Sequence, residues 1–156
     1  MNDLQFFLEV AEAAARQSTC LRRKQGAVIV DQNRHIISTG FNGVPRGMPH
    51  CDEIGTCLRN VLEIPRGERY EVCCSIHGEM NALLQAGRNA NGCVLYLYCW
   101  DVEGAREIIP KPCFLCTKMM INSGIEKVIT RQVIYDPIDL YHSYATSLYT
   151  KDQHYP

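Results

Sequence analysis

Two short motifs in this sequence carry residue types that can do chemistry: His77-Gly78-Glu79 and Pro112-Cys113-Phe114-Leu115-Cys116. In Cys113-x-x-Cys116 two sulfurs lie one helical turn apart, able to grip a single ion. His77 can supply a third ligand and leave the fourth position of a tetrahedral zinc open. Three protein ligands plus water is the pattern of a catalytic zinc, whereas a structural zinc is closed by four. Zinc lowers the pKa of its water toward about 7, so hydroxide becomes available at neutral pH. Glu79 is then the candidate proton shuttle, taking a proton from that water and delivering it to a substrate. The spacing sets a condition. Residues i and i+2 of a regular helix point about 200° apart, so His77 and Glu79 converge only if His77 sits at a helix entrance. The alternative for the same residues is a closed structural zinc of His77, Cys113, Cys116 and one further cysteine, which leaves Glu79 without a role.

The elements that must position these residues can be read from periodicity. Leu4, Phe7, Leu8, Ala11, Ala14 and Ala15 form one helical stripe within Asp3–Arg16. Ala27–Val30 and His35–Phe41 read as a hairpin around the polar turn 31–34. Residues 42–75, rich in Gly and Pro, read as a long connection, and such connections in compact domains are functional or tied down. His77–Gly87 reads as a helix of good formers stopped by Gly87, Cys93–Tyr98 as a buried strand, and 99–112 as a polar excursion. Cys113–Asn122 is an amphipathic helix with Pro112 at its entrance and Gly124 after its end. Glu126–Thr130 reads as a strand and Ile138–Leu148 as a last helix. The order α-β-β-α-β-α-β-α predicts an α/β fold with parallel neighbours in its second half. Both ligand motifs fall at helix starts, where the dipole favours thiolate and hydroxide.

Composition excludes several classes. The 156 residues predict one domain spanning 1–156, and 46% apolar with 21% charged residues predicts an ordinary packed core. Sixteen basic and 17 acidic residues give a net charge of -1, so no global basic field draws the chain to nucleic acid. No apolar run approaches the about 18 residues that span a bilayer. Met1-Asn2-Asp3-Leu4 lacks the basic start and apolar core of a signal peptide, and the cysteine count of nine is odd, which argues against a disulfide framework. The expected location is therefore the cytoplasm, of a bacterium or of a phage-infected cell. Cys74, Cys93 and Cys99 read as small buried apolar residues. The polar C-terminal segment 150–156 is expected to be disordered.

The order H-x-E…P-C-x-x-C is the signature of zinc-dependent nucleobase deaminases. With Cys20-Leu-Arg-Arg-Lys-Gln-Gly-Ala-Val-Ile-Val30, Gly40-Phe-Asn-Gly43, Ile76-His-Gly-Glu-Met-Asn-Ala82 and Pro112–Ile125, the sequence resembles the cytidine and deoxycytidylate deaminase family from about residue 4 to about residue 140. The resemblance implies a three-layer fold with a central mixed five-stranded sheet flanked by helices. It implies catalytic zinc on His77, Cys113 and Cys116, with Glu79 as proton shuttle. Asn42 would contact the nucleotide, and the Gly78 N–H and Glu79 carboxylate would read the pyrimidine edge. Attack at C4 of cytosine and loss of ammonia would follow.

Within the family the stretches at 20–24 and 40–47 are most like the deoxycytidylate (dCMP) deaminases, which implies hydrolysis of dCMP to dUMP as a precursor of thymidylate. A nucleotide phosphate needs cations, and Arg22, Arg23, Lys24 and Arg46 are the candidates. Tyr135 lies where the family places a residue near the phosphate, and equally fits a core edge. Relatives are commonly homohexamers, some regulated by dCTP and dTTP, and a bound triphosphate would bring Mg2+. Some hold a second, structural zinc in regions matching Cys20, Cys51, Cys57 and Cys73, with His50 as a substitute ligand; such a site would order the long loop. Two features depart from the family: Gly78 stands where most members carry Ala, expected to open space near the base, and about ten extra residues near Trp100–Lys111 precede the Pro-Cys motif and would lie beside the pocket. The competing readings are deamination of another nucleotide or modified base, or of tRNA, which calls for a basic surface, and an inactive zinc-stabilised binding module, which the intact Glu79 disfavours.

Overall fold

A computed structural model describes residues 3–149. The segment 150–156 expected to be disordered lies outside the described residues. Helix α1 (Asp3–Ala15) buries Phe7, Leu8, Ala11 and Ala15 along one stripe, and strands β1 (Arg23–Val30) and β2 (Ile36–Phe41) follow as an antiparallel hairpin. The long connection holds two single-turn helices, α2 (Cys51–Ile54) and α3 (Leu58–Val61), and a 3-10 turn at Tyr70–Val72. Helix α4 (Gly78–Ala86), strand β3 (Val94–Asp101), strand β4 (Arg106–Glu107) and helix α5 (Phe114–Ser123) come next. Strands β5 (Lys127–Ile129) and β6 (Ile134–Tyr135) and helix α6 (Pro137–Tyr149) complete the chain.

The mixed sheet runs β2-β1-β3-β5-β6, with β4 paired to the end of β3. The β3–β5 pair is parallel, as the alternation of strands and helices predicts, and the other pairs are antiparallel. Helix α1 covers one face, packing Phe7, Ala11 and Ala15 on Val28, Val30 and Tyr98. Helices α4 and α5 cover the other, where Ala82, Leu83 and Met120 meet Ile29, Leu95, Leu97 and Val128. These are the three layers expected from the resemblance. No helix among the described residues is long and apolar enough to cross a membrane.

Two glycines let helices lie directly on strands. A Cβ built on Gly26 would stand 1.9 Å from the Ala11 carbonyl oxygen of α1. One built on Gly40 would stand 2.3 Å from the Gly78 carbonyl oxygen and 2.4 Å from the Ala82 nitrogen of α4. Backbone blocks both sites, so no rotamer change can relieve a methyl group there. Gly40→Ala is expected to destabilise the fold by about 3 kcal/mol, the upper end for overpacking. Urea denaturation checks this as a lowered midpoint at unchanged m-value.

The differences from the sequence reading have physical causes. Strand β1 begins at Arg23 instead of Ala27, because it pairs residue for residue with β3 from Arg23 opposite Asp101 to Val30 opposite Val94. The polar run 23–25 concealed that extension. The excursion after β3 is a hairpin: β3 continues to Asp101 and β4 pairs back onto it. Cys93 and Cys99 are buried as expected, whereas Cys74 is exposed, since it sits in the irregular segment before α4 rather than against the sheet.

Candidate active site

The end of β2 fixes the entrance of α4. Gly43 and Ile76 form an isolated antiparallel bridge, with Gly43 N–H donating to Ile76 O at 3.1 Å and Ile76 N–H to Gly43 O at 2.8 Å. His77 is therefore held extended (φ -67°, ψ 151°) as the N-cap of α4. This meets the condition set by the His-x-Glu spacing, because a residue outside the helix escapes the 100° rotation per residue. Cys113 is likewise the extended N-cap of α5, and its sulfur accepts from the Cys116 N–H at 3.4 Å.

The two helix entrances bring three ligand atoms together. His77 Nδ1 lies 3.5 Å from Cys113 Sγ and 3.4 Å from Cys116 Sγ. Tetrahedral zinc with its usual Zn–S and Zn–N lengths holds nitrogen and sulfur about 3.5 Å apart, so the donor set and its spacing fit this ion. Among the described residues this is the only group of three or more metal-binding side chains with ligand atoms all within 4.8 Å of one another. The hydrogen bond between the sulfurs holds Cys113 down at about 4 against the opposing effect of burial, with His77 adding to the pull. The same bond, with burial, pushes Cys116 up. Burial lowers His77, but Cys113 and Glu79 outweigh it and the net shift is upward.

Glu79 is 1% exposed and its Oε2 has no hydrogen-bond partner. Burial pushes its carboxyl up to about 7. Such a group can both take and give a proton near neutrality. It borders a cavity of about 380 Å³ together with His77 and Cys113.

Of the other residues singled out in the sequence, Arg22, Arg23, Asn42, Cys20, Cys57 and Cys73 border this cavity. Arg23 pairs with Asp101 and also donates to the Arg22 carbonyl. Asn42 braces the wall: its Oδ1 accepts from Gln25 N–H at 2.8 Å and its Nδ2 donates to Arg23 O at 2.7 Å. Lys24, Arg46 and Tyr135 do not border the cavity. Lys24 alternates onto the opposite face of β1 from Arg23 and Gln25. Arg46 is exposed on the turn from Pro45 to Met48, and Tyr135 packs against the core beneath α5. Gly78 does not widen the pocket, because its missing Cβ would face Gln25 O at 3.1 Å and the Asn42 nitrogen at 3.4 Å. The thiols of Cys20, Cys51, Cys57 and Cys73 do not form a metal-spaced group; Cys51 Sγ instead lies 3.7 Å from Ser75 Oγ.

The inserted segment reaches the cavity as expected, and Arg59, Arg66, Tyr70 and Tyr144 are cavity residues that escaped the sequence reading. Ile108, Ile109, Pro110 and Lys111 carry the inserted segment onto the cavity rim. Lys111 Nζ lies 4.8 Å from the Tyr144 ring centroid, and Tyr144 OH donates to Pro112 O at 2.7 Å. Arg59, Arg66 and Tyr70 come from the long connection. The inserted segment does stand beside the pocket. Periodicity could not have found the others, since they lie in irregular backbone or on a distant helix.

Three layers of α/β structure with a His-Cys-Cys cluster at two helix N-termini beside a cavity define a protein with a three-residue candidate metal site. Residues 1–132 match the family described as "Cytidine and deoxycytidylate deaminase zinc-binding region", and the chain belongs to the cytidine and deoxycytidylate deaminase family. It is 38% identical over 124 residues to the deoxycytidylate deaminase of Schizosaccharomyces pombe, covering 80% of this chain and 35% of that protein. It is 35% identical over 131 residues to the deoxycytidylate deaminase of Mycobacterium phage D29, covering 80% of this chain and 91% of that one. The chain thus spans about a third of the Schizosaccharomyces pombe relative and nine-tenths of the phage protein. The dCMP deaminase of cyanophage S-TIM5, solved with dCMP and dUMP, superposes with a TM-score of 0.58 at 25% identity over 89% of each chain.

Proposed function

We propose that this chain hydrolyses dCMP to dUMP, replacing the C4 amino group with oxygen and releasing ammonia. The observation that carries this reading is the zinc-spaced His77-Cys113-Cys116 cluster beside a buried Glu79 whose Oε2 has no partner, with His77, Cys113 and Glu79 bordering one cavity. Bound by those three residues, zinc supplies an acidified water at neutral pH. Glu79 carries one proton from the attacking water to the pyrimidine ring nitrogen, where it stays in the product, and a second from the new C4 hydroxyl to the departing amino group, so that C4=O forms as ammonia leaves. The unpartnered Glu79 Oε2 is the atom for that transfer, and its low-dielectric surroundings keep the proton from bulk water. Burial at the cavity wall holds the carboxyl near the point of half-protonation. The Gly78 N–H, at the first turn of α4, reads the pyrimidine edge.

The rim supports a phosphorylated substrate. Arg59 and Arg23 are engaged with protein oxygens. Arg22, Arg66 and Lys111 also border the cavity, and none of the three pairs with a carboxylate among the described residues. These three are the residues for the 5′-phosphate. The names of the fungal and phage relatives, and the dCMP and dUMP held by the cyanophage protein, point to the same substrate.

The test is ammonia release by the zinc-loaded protein from dCMP, dCTP, deoxycytidine and a 5-substituted dCMP. The expected result is turnover of dCMP with deoxycytidine disfavoured at least about tenfold, since one charge-assisted contact contributes roughly 1.5–3 kcal/mol. Equal turnover of deoxycytidine and dCMP overturns the phosphate assignment, and no turnover of any of them overturns the proposal.

A further inference from the structure

The connection between β2 and α4 is held by one buried cation. Arg59 of α3 is 5% exposed and pairs with no carboxylate among the described residues. Its Nη1 donates to Arg69 O at 2.8 Å and its Nη2 to Pro65 O at 2.9 Å, pinning both ends of the 65–69 turn. Its guanidinium carbon lies 4.9 Å from the centroid of the Tyr70 ring. Arg69, immediately before Tyr70, holds a left-handed backbone (φ 47°, ψ 50°). That conformation is uncommon for a residue with a side chain and persists where the surroundings over-determine it. The bond to its carbonyl is such a restraint, and the turn delivers Tyr70 to the cavity.

The Tyr70 ring then meets His77 edge to face, with centroids 5.1 Å apart and planes at 90°. His77 is the one metal-ligand candidate at the entrance of α4. Its backbone is fixed by the Gly43–Ile76 bridge, but its ring must also be held for Nδ1 to meet both sulfurs. A buried guanidinium without a counter-ion is costly, and a neutral donor could staple two carbonyls. What the cation adds is its attraction to the face of Tyr70, which fixes the ring that abuts the ligand. Partners that orient a metal-bound histidine govern affinity as well as geometry.

We propose that Arg59 and Tyr70 are positioning residues for His77, acting through the chain Arg59–Tyr70–His77 to set the orientation of the imidazole at the metal. The inference rests on the reading of His77, Cys113 and Cys116 as zinc ligands. It goes beyond that reading by placing control of metal affinity in the long connection.

The test uses Arg59→Met, Tyr70→Leu and Tyr70→Phe in the full chain, with folding verified by circular dichroism. Zinc affinity is measured by competition with a chromophoric chelator, and ligand geometry by the absorption spectrum of the Co2+-substituted protein. The expected result is zinc binding weakened about tenfold to a hundredfold in Arg59→Met and Tyr70→Leu. Their Co2+ bands should be displaced, whereas Tyr70→Phe, which keeps the ring, binds zinc like the parent. If Arg59→Met does not fold, the two Tyr70 variants decide the matter. Folded Tyr70→Leu with parental zinc affinity and an unshifted Co2+ spectrum overturns the inference. A parent protein that binds no zinc overturns the ligand assignment, and this inference with it.

Discussion

Glu79→Gln is expected to leave a folded, zinc-binding protein that releases ammonia from dCMP at least about 10²–10⁴-fold more slowly, the range for loss of a general acid–base group. The substitution is nearly isosteric, so it changes proton capacity and little else. The carboxyl is buried in the cavity wall with one oxygen unpartnered, and burial raises it to about 7. A glutamine there retains the shape and a hydrogen-bonding oxygen but cannot take a proton at one step and return it at the next. It should not weaken the fold, because a neutral amide costs less to bury than a carboxylate. A melting temperature at or above that of the parent, with unchanged zinc content, would separate loss of chemistry from loss of structure. Turnover within tenfold of the parent would remove Glu79 from the proton-transfer role.

That prediction depends on two motifs legible in the sequence, and the same is not true of the cavity around them. Cys113-x-x-Cys116 and His77-x-Glu79 are local patterns, and Pro112 and the helix formers after His77 mark the helix starts that converge them. The phosphate candidates were harder, because Arg22, Arg23 and Lys24 look equivalent in a charged run. They separate only once β1 is known to start at Arg23, since alternate residues of a strand face opposite ways. Arg23 then turns to the cavity and Lys24 away from it. The extension itself depends on pairing with β3, a non-local contact that no window of sequence contains. Arg59 gives no signal at all: it lies in a four-residue helix within an aperiodic loop, and its importance comes from two carbonyls and a ring brought to it by a left-handed turn at Arg69. The sequence reading looked to thiol-bound metal for the tie that holds this loop, and the structure supplies a buried arginine. Gly78 shows the converse error. A missing side chain was read as open space, but the direction of the absent Cβ is set by the packing of α4 on β1 and β2, and it faces backbone.

Cys113→Ser is expected to remove zinc from the chain without unfolding it. The Cys113 sulfur has two roles, as a metal ligand and as the N-cap that accepts from Cys116 N–H. Serine is among the preferred N-caps, whereas alanine there costs about 1 kcal/mol, so Cys113→Ser preserves the helix entrance and Cys113→Ala does not. The serine hydroxyl is a much poorer zinc ligand than a thiolate, and two remaining ligands hold the ion weakly. The packing of α5 depends on Cys116, Thr117 and Met120, which the substitution leaves in place, so the sheet and its helices should persist. Zinc measured by atomic emission should fall from stoichiometric to background, and ammonia release should fall with it. The melting temperature of the parent should rise with added zinc, because a ligand that binds only the folded state stabilises it by mass action. That of Cys113→Ser should not respond. If the variant instead retained stoichiometric zinc, another thiol would have to replace Cys113, and Cys57 and Cys73 on the cavity wall are the ones in place to be tested. That outcome would revive the closed structural site and remove the open coordination position on which hydrolysis depends.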